Sequence, residues 1–319
     1  MRKKNSDLLG EVASRLKTGC GYLLAVSGGV DSICLLYACH ALREKMGLRI
    51  EVAHLDHRLR AESGGDRKFV EDLCARLKIV CHARQVQSSP IGENVEAWGR
   101  RERYTFFREL RIERGLDAIL TAHTASDVAE TFIMRLLSNK ELKSILEYDN
   151  VRQVLRPFLT ISRAEISEYA KAHDLKWVED QSNQDKSYFR NKVRHDVLSH
   201  LKELFGNSVE DVIARRARYL ADDDAILCKI AKEALSDLPE FGSKIWLRAL
   251  KERLKALPRG IAWRSIEALF RDKLGFNLGR TRSERLLDFV QGNHEGIELP
   301  GMVSIRRRAG SLVFKGLIN

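Results

Sequence analysis

The chain has 319 residues, more than one ordinary core holds, so two domains are expected. Charged residues make up 31% of it, and 55 Lys and Arg against 44 Asp and Glu leave a formal net charge of +11. That surplus points to a polyanionic partner, nucleic acid before membrane. No run of about 18 apolar residues occurs, and the N-terminal MRKKNSDLLGEVASRL lacks the apolar stretch and cleavage site of a secretory signal. A cytoplasmic protein with no membrane partner is expected. The six cysteines (Cys20, Cys34, Cys39, Cys74, Cys81, Cys228) form no C-x-x-C pair, which argues against a zinc or iron–sulfur site.

In chain order, YLLAV from residue 22 reads as a buried strand, SICLLYACHALREKM as a helix and RIEVAHL as a second strand. GGDRKFVEDLCARLK is a helix and IVCHARQV a strand. NVEAWGRRERYTFFRELRIERG is a long helix and AILTAH a fourth strand. Short apolar strands separated by amphipathic helices predict an α/β fold, a doubly wound parallel sheet with helices on both faces. Pro157 closes a fifth strand, and Ser162 with Glu165 forms a capping box for the next helix. The polar stretch DQSNQDKSYFRNKVRHD (180–196) is expected on the surface, near whatever the sheet binds.

From about residue 207 the pattern turns helical and ends in alternating apolar residues split by glycine, a terminal β-hairpin or small antiparallel sheet. The expected domains are therefore 1–206 and 207–319. Residues 210–319 hold 21 Lys or Arg against 15 Asp or Glu, more than half of the net charge, and are the expected nucleic-acid-gripping part.

The most informative stretch is SGGVDS. Gly28 and Gly29 let the backbone turn sharply after the first strand and bring N–H groups toward phosphate oxygens. Val30 belongs to the same candidate nucleotide-binding turn, and Ser27 and Ser32 add hydroxyl donors. A Walker loop would place lysine here, whereas this loop carries Asp31. An acid beside polyphosphate calls for a cation between them, and Mg²⁺ suits carboxylate and phosphate oxygens together.

These residues resemble the N-type ATP pyrophosphatases, the PP-loop superfamily, which cleave ATP between the α and β phosphates and adenylate a substrate. HLDHRLRAES (54–63), EAWGRRERY (96–104), TAHTASDVAET (121–131), RPFL and DQSNQDKSYFRNKVR follow in order. Together the blocks are similar to the tRNA(Ile)-lysidine synthase family across most of residues 20–200. The resemblance implies a ligase using ATP and Mg²⁺. It adenylates C2 of the wobble cytidine in the CAU anticodon of tRNA(Ile), and the amine of free L-lysine then displaces AMP. Residues 1–206 would be the ATP-binding catalytic domain and 207–319 a tRNA-binding accessory domain. Dimerisation is left open.

Asp31 is the first metal candidate. Asp127 and Glu130, spaced i, i+3, would share a helix face and coordinate magnesium, hold the lysine ammonium or accept its proton. They match the acidic positions of the family pattern A-H-H-x-D-D-x-x-E-T. Thr124 stands where that pattern has a second histidine, and Ser126 where it has its first acid. Arg100 is a candidate for the phosphate or tRNA side. Arg190 and Arg194, with Asn191, would form guanidinium clamps. His54 and His57 are read as orienting the nucleotide, no third zinc ligand being near them in sequence. Two rival readings are a PP-loop tRNA thiolase, which would need a cysteine or cluster motif, and a non-catalytic ATP-sensing RNA-binding protein.

Overall fold

A computed structural model describes residues 8–56, 63–86, 95–138, 142–179, 189–274, 277–292, 295–300, 303–308 and 311–315. The early apolar runs become one sheet. β1 (Gly21–Ala25), β2 (Arg49–Asp56), β3 (Val80–Gln85), β4 (Ala118–Leu120) and β6 (Val154–Leu155) are parallel. The two-residue β5 (Tyr148–Asp149) pairs antiparallel with β6, giving the order β3-β2-β1-β4-β6-β5. The predicted strands are all present, and β5 is an addition.

Alternation along β1 decides which helices pack where, because successive side chains point to opposite faces. Tyr22 and Leu24 join Ile50 and Val52 in a core that takes in α1 (Leu8–Arg15), α2 (Val30–Leu42), α3 (Ser63–Leu77) and α6 (Arg163–Ala172). Leu23, between them, faces Ala53, Ile119 and Val154 and is covered by Phe106, Phe107 and Leu110 of α4 (Val95–Glu113). Both faces are therefore buried, as a parallel sheet requires. The predicted Ser162–Glu165 capping box is formed at the start of α6.

α5 (Ala125–Leu136) follows β4. After α6 come the single turn α7 (Phe189–Lys192), a π-helical turn (Val193–Val197), α8 (Leu198–Phe205) and the 25-residue α9 (Val209–Glu233). The chain makes two compact units, and the division falls inside α9, between Arg218 and Tyr219.

The second unit contains α10 (Lys244–Ala256), α11 (Arg259–Leu274) and α12 (Arg280–Gln291). They are followed by an antiparallel sheet of β7 (Gly296–Leu299), β8 (Val303–Arg308) and β9 (Ser311–Lys315). The alternating C-terminal pattern thus yields three strands rather than a hairpin alone. Trp246, Leu250, Ile266, Phe270 and Leu286 form the core of this unit, with Phe241 and Phe314 packed on it. No helix among the described residues is long and apolar enough to cross a membrane.

Candidate nucleotide-binding active site

Ligands of an open parallel sheet bind beyond the carboxyl ends of its strands, and the loop from Val26 to Gly29 lies there, between β1 and α2. Its backbone is held by its neighbours. Val26 N–H donates to the Ala53 carbonyl (3.0 Å), and the Val26 carbonyl accepts from Nδ1 of the buried His54 (2.9 Å). The Gly28 carbonyl accepts from Val178 N–H (3.0 Å). Gly28 has φ +99°, a conformation open to glycine and strained for other residues. His54 thus acts on the loop from behind it; His57 lies outside the described residues.

Gly29 is the N-cap of α2, and no side chain caps that helix. Its first-turn N–H groups therefore face the site with the positive end of the helix dipole. Ser32 Oγ donates to the Gly29 carbonyl (2.9 Å) and lies 3.2 Å from Ser27 Oγ, so both hydroxyls sit in the cradle. Asp31, one position after Val30 in that first turn, is mostly buried. Its Oδ2 meets Arg163 Nη2 at 3.4 Å, while its buried Oδ1 has no hydrogen-bond partner among the described residues. Burial pushes the Asp31 carboxyl above its usual range, with nearby Asp127 adding to the rise against Arg163 and Arg194. A hard cation beside this oxygen would relieve both the lost hydration and the unmet acceptor. Among the described residues no three His, Cys, Asp or Glu side chains gather into a metal cage. The unmet carboxylate oxygen of Asp31 would suit a magnesium ion, which prefers oxygen ligands.

The acids of α5 face the same region. Thr124 is the N-cap of α5 and makes a capping box with Asp127, whose Oδ2 accepts from Thr124 N–H (2.7 Å) and Oγ1 (3.1 Å). Asp127 Oδ1 accepts from Arg190 Nη2 at 2.6 Å. Burial alone would raise the Asp127 carboxyl, but Arg190, His123 and the Thr124 N–H outweigh it and hold the group below its usual range. Glu130 is only 1% exposed. Its Oε2 accepts from Arg190 Nε (2.7 Å) and Arg194 Nη2 (3.1 Å), and its Oε1 from Arg194 Nε (2.6 Å). The two acids read from the sequence as metal, ammonium or proton-accepting groups are thus engaged by the two predicted arginines. Among the described residues, the oxygen left free in this cluster belongs to Asp31. His123, whose Nδ1 lies 2.9 Å from Thr121 Oγ1, is pushed down to about 4 by burial and by nearby arginines, against the pull of Asp127. It is neutral at pH 7.

Sequence reading did not single out Arg163. It occupies the first turn of α6, where a cation opposes the helix dipole. Such a placement at a helix start is the signal that would have found it. Burial works against its charge, but Asp31, Asp127 and Glu130 more than restore it. Arg100 lies on the exposed face of α4 with its guanidinium 5.0 Å from the Tyr104 ring centre. Glu130, Arg163 and Arg194 line a cavity of about 530 Å³ together with Asp211 and with Lys202 and Glu210, which form an ion pair. Ser126, at the position where the family pattern has an acid, is 5% exposed and lines this cavity.

A twisted parallel sheet with an uncapped helix start, a glycine turn and an acid poised for a cation defines an α/β domain that binds nucleoside phosphates. The chain belongs to the PP-loop domain family, whose model matches residues 3–201. It is similar to the tRNA(Ile)-lysidine synthase of Clostridium perfringens, 38% identical over 230 residues, which covers 70% of this chain and 49% of that protein. The Thermus thermophilus tRNA(Ile)-lysidine synthase is 35% identical over 295 residues, covering 91% of this chain and 56% of the relative; that of Solibacter usitatus is 32% identical over 298 residues, covering 91% and 66%. The chain spans about half the length of the first of these relatives and two thirds of the last. Among solved structures, the U34-tRNA thiolase NcsA from Methanococcus maripaludis with its [4Fe-4S] cluster has a similar fold. The TM-score is 0.60 at 16% identity, over 68% of this chain and 78% of that one.

Proposed function

We propose that the chain is a tRNA(Ile)-lysidine synthase, a cytoplasmic ligase. It uses ATP to adenylate the wobble cytidine of a CAU anticodon at C2 and then joins free L-lysine there, releasing AMP. The observation that carries this reading is the unpartnered, buried Asp31 Oδ1 in the first turn of α2, directly beside the glycine turn. The relatives' shared name supplies the substrate.

Asp31 would hold Mg²⁺ through Oδ1, and the ion when bound neutralises charge on the phosphates that leave as pyrophosphate. The first-turn N–H groups of α2 and the Ser27 and Ser32 hydroxyls receive the phosphate oxygens. Arg163, kept charged between three carboxylates, stabilises the departing anion. Asp127 and Glu130 serve as anchors: their oxygens fix Arg190 and Arg194 at the rim, where the forks orient the adenylated base. Asp127, held below the usual carboxylate range, is a poor proton acceptor at neutral pH. The lysine amine is therefore expected to arrive as the free base, through the cavity lined by Glu130, Arg163 and Arg194. The basic second unit is assigned to the tRNA backbone.

Mass spectrometry of tRNA(Ile) transcripts after incubation with ATP, Mg²⁺ and lysine tests the proposal. A gain of one lysine, less water, on one cytidine supports it. An unmodified transcript with no pyrophosphate released would leave an ATP-sensing RNA-binding protein as the better reading.

A further inference from the structure

The β5–β6 hairpin presents a cation beside an aromatic ring. Arg152 lies with its guanidinium carbon 5.3 Å from the Tyr104 ring centre, and Arg100 approaches the same ring to 5.0 Å from α4. The tip is wired to hold this arrangement. Asp149 Oδ1 accepts from the backbone N–H groups of Val151 and Arg152 (both 3.1 Å), and its Oδ2 pairs with Arg152 Nη1 (3.1 Å). Gln153, at φ +54°, accepts from Tyr148 Oη (2.5 Å) and donates to the Asn150 carbonyl (2.7 Å). So many local bonds on a two-residue edge strand fix a side chain that adds little to the core, since Arg152 is 51% exposed and Val151 at the tip is 92% exposed. Arg100 approaches the ring from one turn nearer the start of α4, the end of that helix that follows β3, while Arg152 reaches it from the turn that precedes β6.

We propose that Tyr104, Arg100 and Arg152 form a landing platform for a single-stranded nucleotide of the RNA strand that carries the target base. The phosphodiester would be held by the two guanidiniums and the base stacked on the guanidinium–aromatic surface. This rests on the reading of RNA as the substrate. A base that reacts at C2 has to leave its stack, and a protein that extracts it needs planar groups to replace the lost stacking and cations to hold the strand. Two guanidiniums gathered at one ring meet both needs.

The test uses the full chain with tRNA(Ile) transcript, reading both fluorescence-anisotropy binding and pyrophosphate release against tRNA and salt concentration. For Arg152→Ala we expect Kd and KM for tRNA to rise about tenfold with kcat within twofold. The slope of log Kd against log salt should become shallower by about one. Arg152→Lys should recover the salt slope, Tyr104→Phe should behave as the parent, and Tyr104→Ala should raise KM. ATP affinity should not change in any of them. Unchanged tRNA affinity and salt slope in Arg152→Ala overturn the platform. If Tyr104→Ala fails to fold, as its melting curve will show, the Arg152 pair decides alone. A parent protein that binds tRNA but releases no pyrophosphate defeats the ligase reading while leaving the binding comparison able to support or defeat the platform.

Discussion

Arg194 grips Glu130 side-on, its Nε on one carboxylate oxygen at 2.6 Å and its Nη2 on the other at 3.1 Å, with the acid 1% exposed. A bidentate pair of this kind is strong only while both members are present. Glu130→Ala should leave Arg194 without its carboxylate partner and Arg190 with Asp127 alone, and cost about 3 kcal/mol in urea unfolding. Glu130→Gln keeps one acceptor and should cost less. Equal stability of the alanine variant and the parent would show that the arginines do not depend on this acid.

Asp31→Ala should fold normally, because its carboxylate has one long contact to Arg163 and an unmet oxygen. Pyrophosphate release should fall by about a hundredfold or more, the scale expected when a charge-stabilising group is removed from a transition state. Raising Mg²⁺ should not restore it. Retained release would remove Asp31 from the metal role.

Thr124 is fully buried and caps α5 through a reciprocal pair with Asp127. Thr124→Ala should cost about 1 kcal/mol of stability and, by loosening Asp127, weaken its hold on Arg190. Thr124→Ser keeps the hydroxyl and should retain most of both. Thermal melts alongside pyrophosphate release check the two effects together.

His123 gives the stability a pH dependence. Its folded value of about 4 lies below the unfolded value near 6.5, so the unfolded chain binds the proton more tightly. The neutral ring's contribution is complete above pH 6.5 and is lost as pH falls toward 4, up to roughly 3 kcal/mol in all. Urea unfolding at pH 7.5 and pH 5 should show about 2 kcal/mol of that loss, and His123→Gln should remove it. A parent–variant difference independent of pH would contradict the neutral ring.

The sheet was legible because its strands are short apolar runs with helical patterns between them, and the glycine turn because its composition has few other uses. β5 was not, since Tyr148 and Asp149 carry no strand pattern and pair only through β6. Within the site, sequence spacing correctly brought Asp127 and Glu130 onto one face. It could not show that their oxygens were already taken, because Arg190 and Arg194 lie about sixty residues away along the chain. Arg163 was passed over for a related reason: its importance comes from three carboxylates on two other helices, none of them near it in sequence. Thr124 reads as a departure from a motif, and in the fold it is a well-chosen cap.

The turn at Gly28 is pinned by the backbone of β2, by the ring of His54 and by the chain beyond α6. A mould so braced takes its shape as the sheet assembles, before any guest arrives. The incoming triphosphate then meets a rigid seat, and little of its adhesion is spent on reshaping the host.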